Sequence, residues 1–412
     1  MVFAGFVTLL CGDSAWSQTP LAPATTWVAS WGASQQIPEP QNALPPEDLT
    51  DATVRQIFHL SLGGPSIRVH ISNAFGTEVL KVASVHIARP VSPATSAIDP
   101  ASDRPLTFAG NEDAVIPPGA ELISDPLNYA VAPLSDLAVS FYIPAPPPRE
   151  TSHPGSRATS YYAHGNLVAA STLADAKHVD HWFQISEIDV QTTSGAASVV
   201  ALGDSITDGH GATTNLNDRW TDVLAARLQA SATTRNIGVS NQGIGGNHLL
   251  TDGLGPNALA RLDRDVLAPA GVQWVIVFEG VNDLGGLART GEVPVTDHAA
   301  LVQRVLAAYQ QIIARVHAHG LRAIGATITP YVGSGYYHPG PLSEADRQTV
   351  NRWITAAGHF DAVVDFDRVV RDSQHPDQLL PAYDCGDHLH PSPAGYKAMG
   401  DAIPLALFER AK

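Results

Sequence analysis

The sequence predicts an α/β chain of two domains, an antiparallel β-sandwich followed by a three-layer α/β/α unit built on a parallel sheet. Three observations predict it. The 412 residues are too many for one ordinary hydrophobic core. From Thr53 to Val190 apolar residues recur mostly with period two, and no stretch of useful length has a helical period. After Gln191-Thr192-Thr193-Ser194-Gly195 short apolar runs alternate with helix-period segments. A β domain over 25–190 and a second domain over 197–412 follow from that change of period.

Each element has its own signal. Val2 to Leu10 is apolar but too short to span a bilayer, and Ala15-Trp16-Ser17 before Gln18 has a small-x-small pattern. Residues 1–17 therefore read as a signal peptide, although a positive n-region is missing, and the expected location is secreted or periplasmic. Cys11 follows Leu9-Leu10 rather than a small residue, which argues against a lipoprotein anchor. Cleavage would leave Cys385 alone, so no disulfide staples the fold. Thr26 to Trp31 reads as a strand with both tryptophans packed. Ile67, Val69 and Ile71 alternate with Arg68, His70 and Ser72, and Leu137, Val139, Phe141 and Ile143 form a second such run. Pro117-Pro118-Gly119 and Pro144 to Pro148 punctuate them. His59, His70 and His86 lie on strand faces without metal-ligand spacing.

In the second half, Val199-Val200-Ala201-Leu202 and Val272 to Phe278 are unbroken apolar runs, the pattern of strands buried on both faces. Asn236 to Ser240, Ala323 to Ile328 and Ala362 to Phe366 read as further strands. Trp220 to Leu228, Leu301 to Val316, Glu344 to Ala357 and Ala394 to Glu409 read as helices. Alternation of this kind implies right-handed crossovers and a parallel sheet covered on both faces.

A net charge of −16 with no basic cluster excludes nucleic acid and anionic membrane surfaces as natural partners. No stable membrane insertion is expected, and the oligomeric state is not encoded in any recognisable pattern. What the chain does carry is chemistry at strand ends. Three strands run into polar, glycine-rich loops, at Ser205, at Gly246 and at Asn282, and in a parallel sheet those ends share one edge. A fourth loop, Asp384-Cys385-Gly386-Asp387-His388-Leu389-His390-Pro391, precedes the last helix and offers a base with a carboxylate to orient it. Hydroxyl attack on a carbonyl needs these parts: a serine, a histidine to take its proton, a carboxylate to fix the imidazole tautomer, and N–H donors for the oxyanion. Gly246 offers a backbone N–H, Asn282 a side-chain amide, and Ser205 its own N–H. Two other readings compete. Asn282 and Asp283 are also cap residues, and Cys385, Asp387, His388 and His390 are also zinc-ligand types, though four ligands within one short loop are cramped. No Gly-x-Ser-x-Gly elbow and no phosphate-binding Gly-x-x-x-x-Gly-Lys is present.

The four blocks occur in the order Gly203-Asp204-Ser205, Asn241-x-Gly-x-x-Gly246, Gly280-x-Asn282-Asp283 and Asp387-x-x-His390. On these blocks the chain resembles a GDSL or SGNH-type serine hydrolase, with Ile206 where the motif has Leu. Trp31-Gly32-Ala33-Ser34 resembles the β-rich, jelly-roll-like part of secreted two-domain members. The resemblance implies a flavodoxin-like catalytic domain with Ser205 as nucleophile, His390 rather than His388 as base, and Asp387 as its partner. It also implies an oxyanion hole from Ser205, Gly246 and Asn282, no metal and no cofactor. Tyr336, Tyr337 and His338, in a Gly/Pro-rich loop after a strand, are candidates to line the substrate pocket. The substrate class implied is a small acyl ester, with acetyl esters of a glycan first. Short-chain lipase, arylesterase or lysophospholipase activity is the alternative, and an inactive carbohydrate-binding protein is the reading from another class.

Overall fold

The computed structural model describes Met1 and residues 25–193 and 195–409. Apart from Met1, the segment read as a signal peptide lies outside the described residues. The N-terminal half contains two larger antiparallel sheets. In the first, strands run in the order Lys177–Val179, Ser160–His164, Ala52–Leu60, Ser135–Ile143, Ser84–Ala88 and Arg104–Pro105. In the second the order is Thr25–Gly32, Ile185–Thr193, Ser66–Ser72 and Glu121–Ile123. The alternation seen in the sequence puts Val69, Ile71, Leu137, Val139 and Phe141 into the core of this domain. Trp31 lies edge-on to Phe58 at 4.4 Å and to Trp182 at 4.8 Å. Trp27 instead carries the Arg68 guanidinium 4.6 Å from its ring centroid. The strand histidines are hydrogen-bonded to carboxylates: His59 to Asp136, His70 to Glu121 and Asp189, and His86 to Asp103.

The C-terminal half forms a five-stranded parallel sheet in the order Ile237–Gly243, Ala197–Gly203, Val272–Phe278, Arg322–Ala326 and Ala362–Val364. Ala197–Gly203 is first in the chain yet lies second in the sheet, so the connections diverge at its ends. That is a topological switch point, where doubly wound sheets hold their ligands at the carboxyl edge. Long helices cover the sheet. Val295–Ala318 buries Leu301, Val302, Val305, Ala308, Tyr309, Ile312, Ile313 and Val316 against the sheet and exposes Gln303, Arg304, Gln310 and Gln311.

Several boundaries depart from expectation; the strand read over Ala362 to Phe366, for example, ends at Val364, and Phe366 opens the helix Phe366–Val370. The final helix is Pro393–Ala402, not a continuous run to Glu409, because Pro404 cannot continue it; a 3-10 turn, Leu405–Phe408, follows. Asn282 does not end a strand but lies in the first turn of the helix Val281–Leu287, whose N-cap is Gly280.

The two halves are tightly joined. Ile185–Thr193 leads almost directly into Ala197–Gly203. The exposed edge of the parallel sheet, Ile237–Gly243, is closed by the β domain: Ser61 Oγ donates to Val239 O at 3.1 Å and accepts from Val239 N at 2.8 Å. Ala29 N donates to Ala270 O at 2.9 Å. His153 bridges the interface, with Nδ1 2.7 Å from Ser34 O and Nε2 2.8 Å from Asp208.

Candidate active site

Ser205 opens a four-residue helix directly after the strand Ala197–Gly203. Asp204 caps that helix, its carboxylate accepting from Ile206 N at 2.9 Å. The turn is tight enough that a Cβ on Gly203 would lie 2.0 Å from Thr207 Oγ1 and 2.9 Å from Phe278 O, so only glycine fits. Ser205 Oγ lies 2.8 Å from His390 Nε2, and His390 Nδ1 lies 2.6 Å from Asp387 Oδ2. A carboxylate only accepts, so Nδ1 carries the hydrogen and the Nε2 lone pair faces the serine hydroxyl. The other Asp387 oxygen accepts from the backbone N–H of Leu389 at 3.0 Å and His390 at 2.9 Å. The Asp-x-x-His turn thus orients its own carboxylate. Burial alone would raise the Asp387 pKa, but the bonds from the His390 ring and backbone outweigh it and hold the carboxyl well below its ordinary range.

His388 does not join this relay. It is exposed, and its Nδ1 pairs with Asp384 Oδ2 at 2.6 Å. Cys385 is exposed and free. Of the four ligand types in this loop, His390 therefore spends its ring nitrogens on Ser205 and Asp387 and His388 turns to Asp384, so the set does not converge on one point.

Gly246 and Asn282 line the same cleft as Ser205. Gly246 has φ +64°, a left-handed conformation that side chains rarely adopt. Asn282 is buried; its Nδ2 donates to Asn247 O at 2.6 Å, and its Oδ1 accepts from the Tyr337 hydroxyl. Burial pushes the Tyr337 phenol well above its ordinary value, so it remains a donor. This bond selects the amide orientation and leaves the second N–H of Asn282 for the cleft. Asp283 fastens the glycine loop to the asparagine loop, accepting from Leu249 N at 2.8 Å and Leu250 N at 3.1 Å.

The cleft has a volume of about 980 Å³. Tyr336 is exposed at its wall, with the Arg289 guanidinium 3.8 Å from its ring centroid. Tyr337 lines the cleft too, but its hydroxyl is taken by Asn282. His338 is not among the lining residues. Leu254 and Leu389 are the aliphatic side chains in the lining; the rest are glycines, histidines, Arg289 and other polar or aromatic groups.

Beneath the site lies a residue that sequence reasoning missed. Arg261 is 1% exposed and donates to Gly203 O at 3.0 Å, Gln242 O at 2.7 Å, Asn247 Oδ1 at 2.8 Å and Ser34 Oγ at 2.7 Å. One guanidinium thus ties the Ser205 strand, its neighbour, the glycine loop and the β domain. It also faces Glu279 and Asp265, each at 3.4 Å. Burial pushes Asp204 up to about 7, and burial with the neighbouring Asp204 pushes Glu279 up as well. In the sequence, Arg261 is one arginine on a short helix with nothing to distinguish it; no local signal would have found it.

Residues 201–398 match the GDSL-like Lipase/Acylhydrolase family. Among solved structures, a single-site variant of an acetyl xylan esterase from Geobacillus stearothermophilus is 22% identical, with 52% of this chain and 97% of that one aligned and a TM-score of 0.37. A GDSL-like lipase from Bacteroides thetaiotaomicron is 20% identical, with 51% and 87% aligned and a TM-score of 0.37. No curated protein matches the chain. The parallel sheet, the Gly203-Asp204-Ser205 turn at its carboxyl edge and the matched span agree on one assignment: residues 201–398 carry a GDSL-like lipase/acylhydrolase domain.

Proposed function

We propose that the protein hydrolyses carboxylic esters of small acyl groups, acetyl first, on a polar alcohol such as a glycan, through a covalent Ser205 ester. The observation that carries this reading is the continuous relay Ser205–His390–Asp387 on the wall of an open cleft. His390 Nε2 takes the hydroxyl proton as Ser205 Oγ attacks the ester carbonyl. Asp387 stabilises the imidazolium that forms. The backbone N–H groups of Ser205 and Gly246 and the free N–H of Asn282 serve the developing oxyanion. His390 then protonates the leaving alcohol, and water, deprotonated by the same ring, releases the acid and frees Ser205. Leu254, Leu389, Tyr336 and Tyr337 supply apolar surface in the lining for the acyl part of the ester. The reading includes the β domain over 25–190, the catalytic domain over 197–412 and export of the mature protein after cleavage of residues 1–17. No helix among the described residues is long and apolar enough to cross a membrane.

The test is turnover of a chromogenic acetate ester and of acetylated glycans, phospholipids and long-chain esters by wild type and Ser205→Ala. Wild type should show an acyl burst and prefer acetate, and Ser205→Ala should lose the burst. A variant that keeps near wild-type turnover refutes the nucleophile, and preference for long-chain esters refutes the substrate class.

A further inference from the structure

Arg157 belongs to the β domain, in the turn between the strands Ser152–Pro154 and Ser160–His164. It is held at φ +52°, an uncommon conformation for a side-chain-bearing residue, and its carbonyl accepts from Asn215 N at 2.9 Å. Its guanidinium reaches across the interface to the loop after the nucleophile helix. Arg157 Nη2 lies 3.0 Å from His210 Nδ1, and Nε donates to Gly209 O at 3.3 Å. His210 is anchored at both backbone ends, its N–H donating to Ser205 O at 2.8 Å and its carbonyl accepting from the Tyr396 hydroxyl at 2.5 Å. Its ring lies against the His390 ring, centroids 4.1 Å apart.

We propose that Arg157 is a positioning residue of the active site: it fixes the tautomer of His210, which in turn holds the His390 ring and faces Asp387 with an N–H. The inference rests on the Ser205–His390–Asp387 reading. The chemistry follows from donor inventory. A guanidinium has donors only, so His210 Nδ1 must accept and Nε2 must carry the hydrogen. That Nε2 stands 3.8 Å from Asp387 Oδ2, the oxygen that accepts from His390. The distance is too long for a direct hydrogen bond, but a fixed N–H dipole there favours the carboxylate. The charged and titratable groups facing His210 are Arg157, His390, Asp387 and Asp208. Partial burial first, then His390 and Arg157, push the half-exposed His210 ring down to about 4, which favours its uncharged form. Without the guanidinium, Nδ1 loses its donor and one of the groups that oppose its protonation, and a protonated ring would set a cation against His390. The β domain would then be part of the catalytic apparatus rather than an appended binding module.

The test uses the full chain and the acidic limb of kcat/KM on a chromogenic acetate ester, which reports protonation of the free enzyme. Wild type should fall with a one-proton slope. Arg157→Met should lose about tenfold in kcat with little change in KM, and its acidic limb should approach a two-proton slope. Arg157→Met combined with His210→Phe should return the slope to one proton. From the other side of the contact, His210→Gln, which can accept from Arg157 and donate toward Asp387, should keep most activity, whereas His210→Phe should lose about tenfold. Wild-type kcat and a one-proton limb in a folded Arg157→Met overturn the proposal, as does a two-proton limb that survives in the double variant. If Arg157→Met does not fold, the pair His210→Gln and His210→Phe decides, and equal activities overturn it. Activity retained in Ser205→Ala would instead refute the relay itself, so the two failures are distinguishable.

Discussion

Replacing Asn282 separates a transition-state donor from a helix-start residue. Its amide donates one N–H to Asn247 O and accepts from the Tyr337 hydroxyl, leaving one N–H for the cleft. In the proposed oxyanion role, that N–H would gain most when negative charge appears on the substrate oxygen, lowering the barrier more than it tightens binding. Asn282→Ala should therefore lower kcat by about 10²–10³, on the order of 2.7–4 kcal/mol, with a small change in KM. Asn282→Asp should be worse in both activity and stability. A carboxylate has no hydrogen for Asn247 O at 2.6 Å, repels the oxyanion, and is 2% exposed, so its charge lacks water. A residue that merely started the helix Val281–Leu287 would behave oppositely, because an acid in the first turn is favoured by the helix dipole. The assay is kcat and KM on a chromogenic acetate ester together with the urea midpoint for both variants. An Asn282→Asp enzyme that is active and stable would refute the donor role.

Three further outcomes follow from buried charge and from the join between domains. Arg261→Met should destabilise by about 3–5 kcal/mol, read as a lower urea midpoint, because the buried acceptors Gly203 O, Gln242 O and Asn247 Oδ1 each lose a donor, while Asp265 keeps its pair with Arg264. The Asp204 carboxyl sits near 7 in the fold and near 3.8 when free, so between those values the native state holds a proton the unfolded state has released, and stability falls as pH rises from about 4 to about 7. Asp204→Asn keeps the cap on Ile206 N and should flatten that fall in urea midpoints; an unchanged slope would show that Asp204 is ionised throughout. Limited proteolysis should find no efficient cut between 190 and 197, since Ile185–Thr193 and Ala197–Gly203 are both ordered strands joined by a very short connection; rapid release of two stable fragments would contradict this.

Much of this protein is written in local patterns. Period two and period 3.6 are properties of neighbouring residues, and they separated the antiparallel half from the parallel half without any knowledge of contacts. Four short blocks in order singled out Ser205, Gly246, Asn282, Asp387 and His390, because a strand end, a tight turn and an Asp-x-x-His step are local geometries whose residue types are restricted. These residues line one cleft, and Asp387 and His390 bond in series with Ser205. The misjudged boundary at Pro404 was also local: the helical pattern was extended through a residue that stops it. What only the tertiary structure decided are contacts between segments far apart in the chain. Choosing Tyr337 to orient the Asn282 amide required the loops of the parallel sheet to be packed, and choosing Arg261 to tie two strand ends and the glycine loop to Ser34, His153 to meet Asp208, and Arg157 to reach His210 required the two halves to be packed. A buried polar group takes whichever partner the packing brings within hydrogen-bond reach, and that partner leaves no periodicity or spacing in the chain to read.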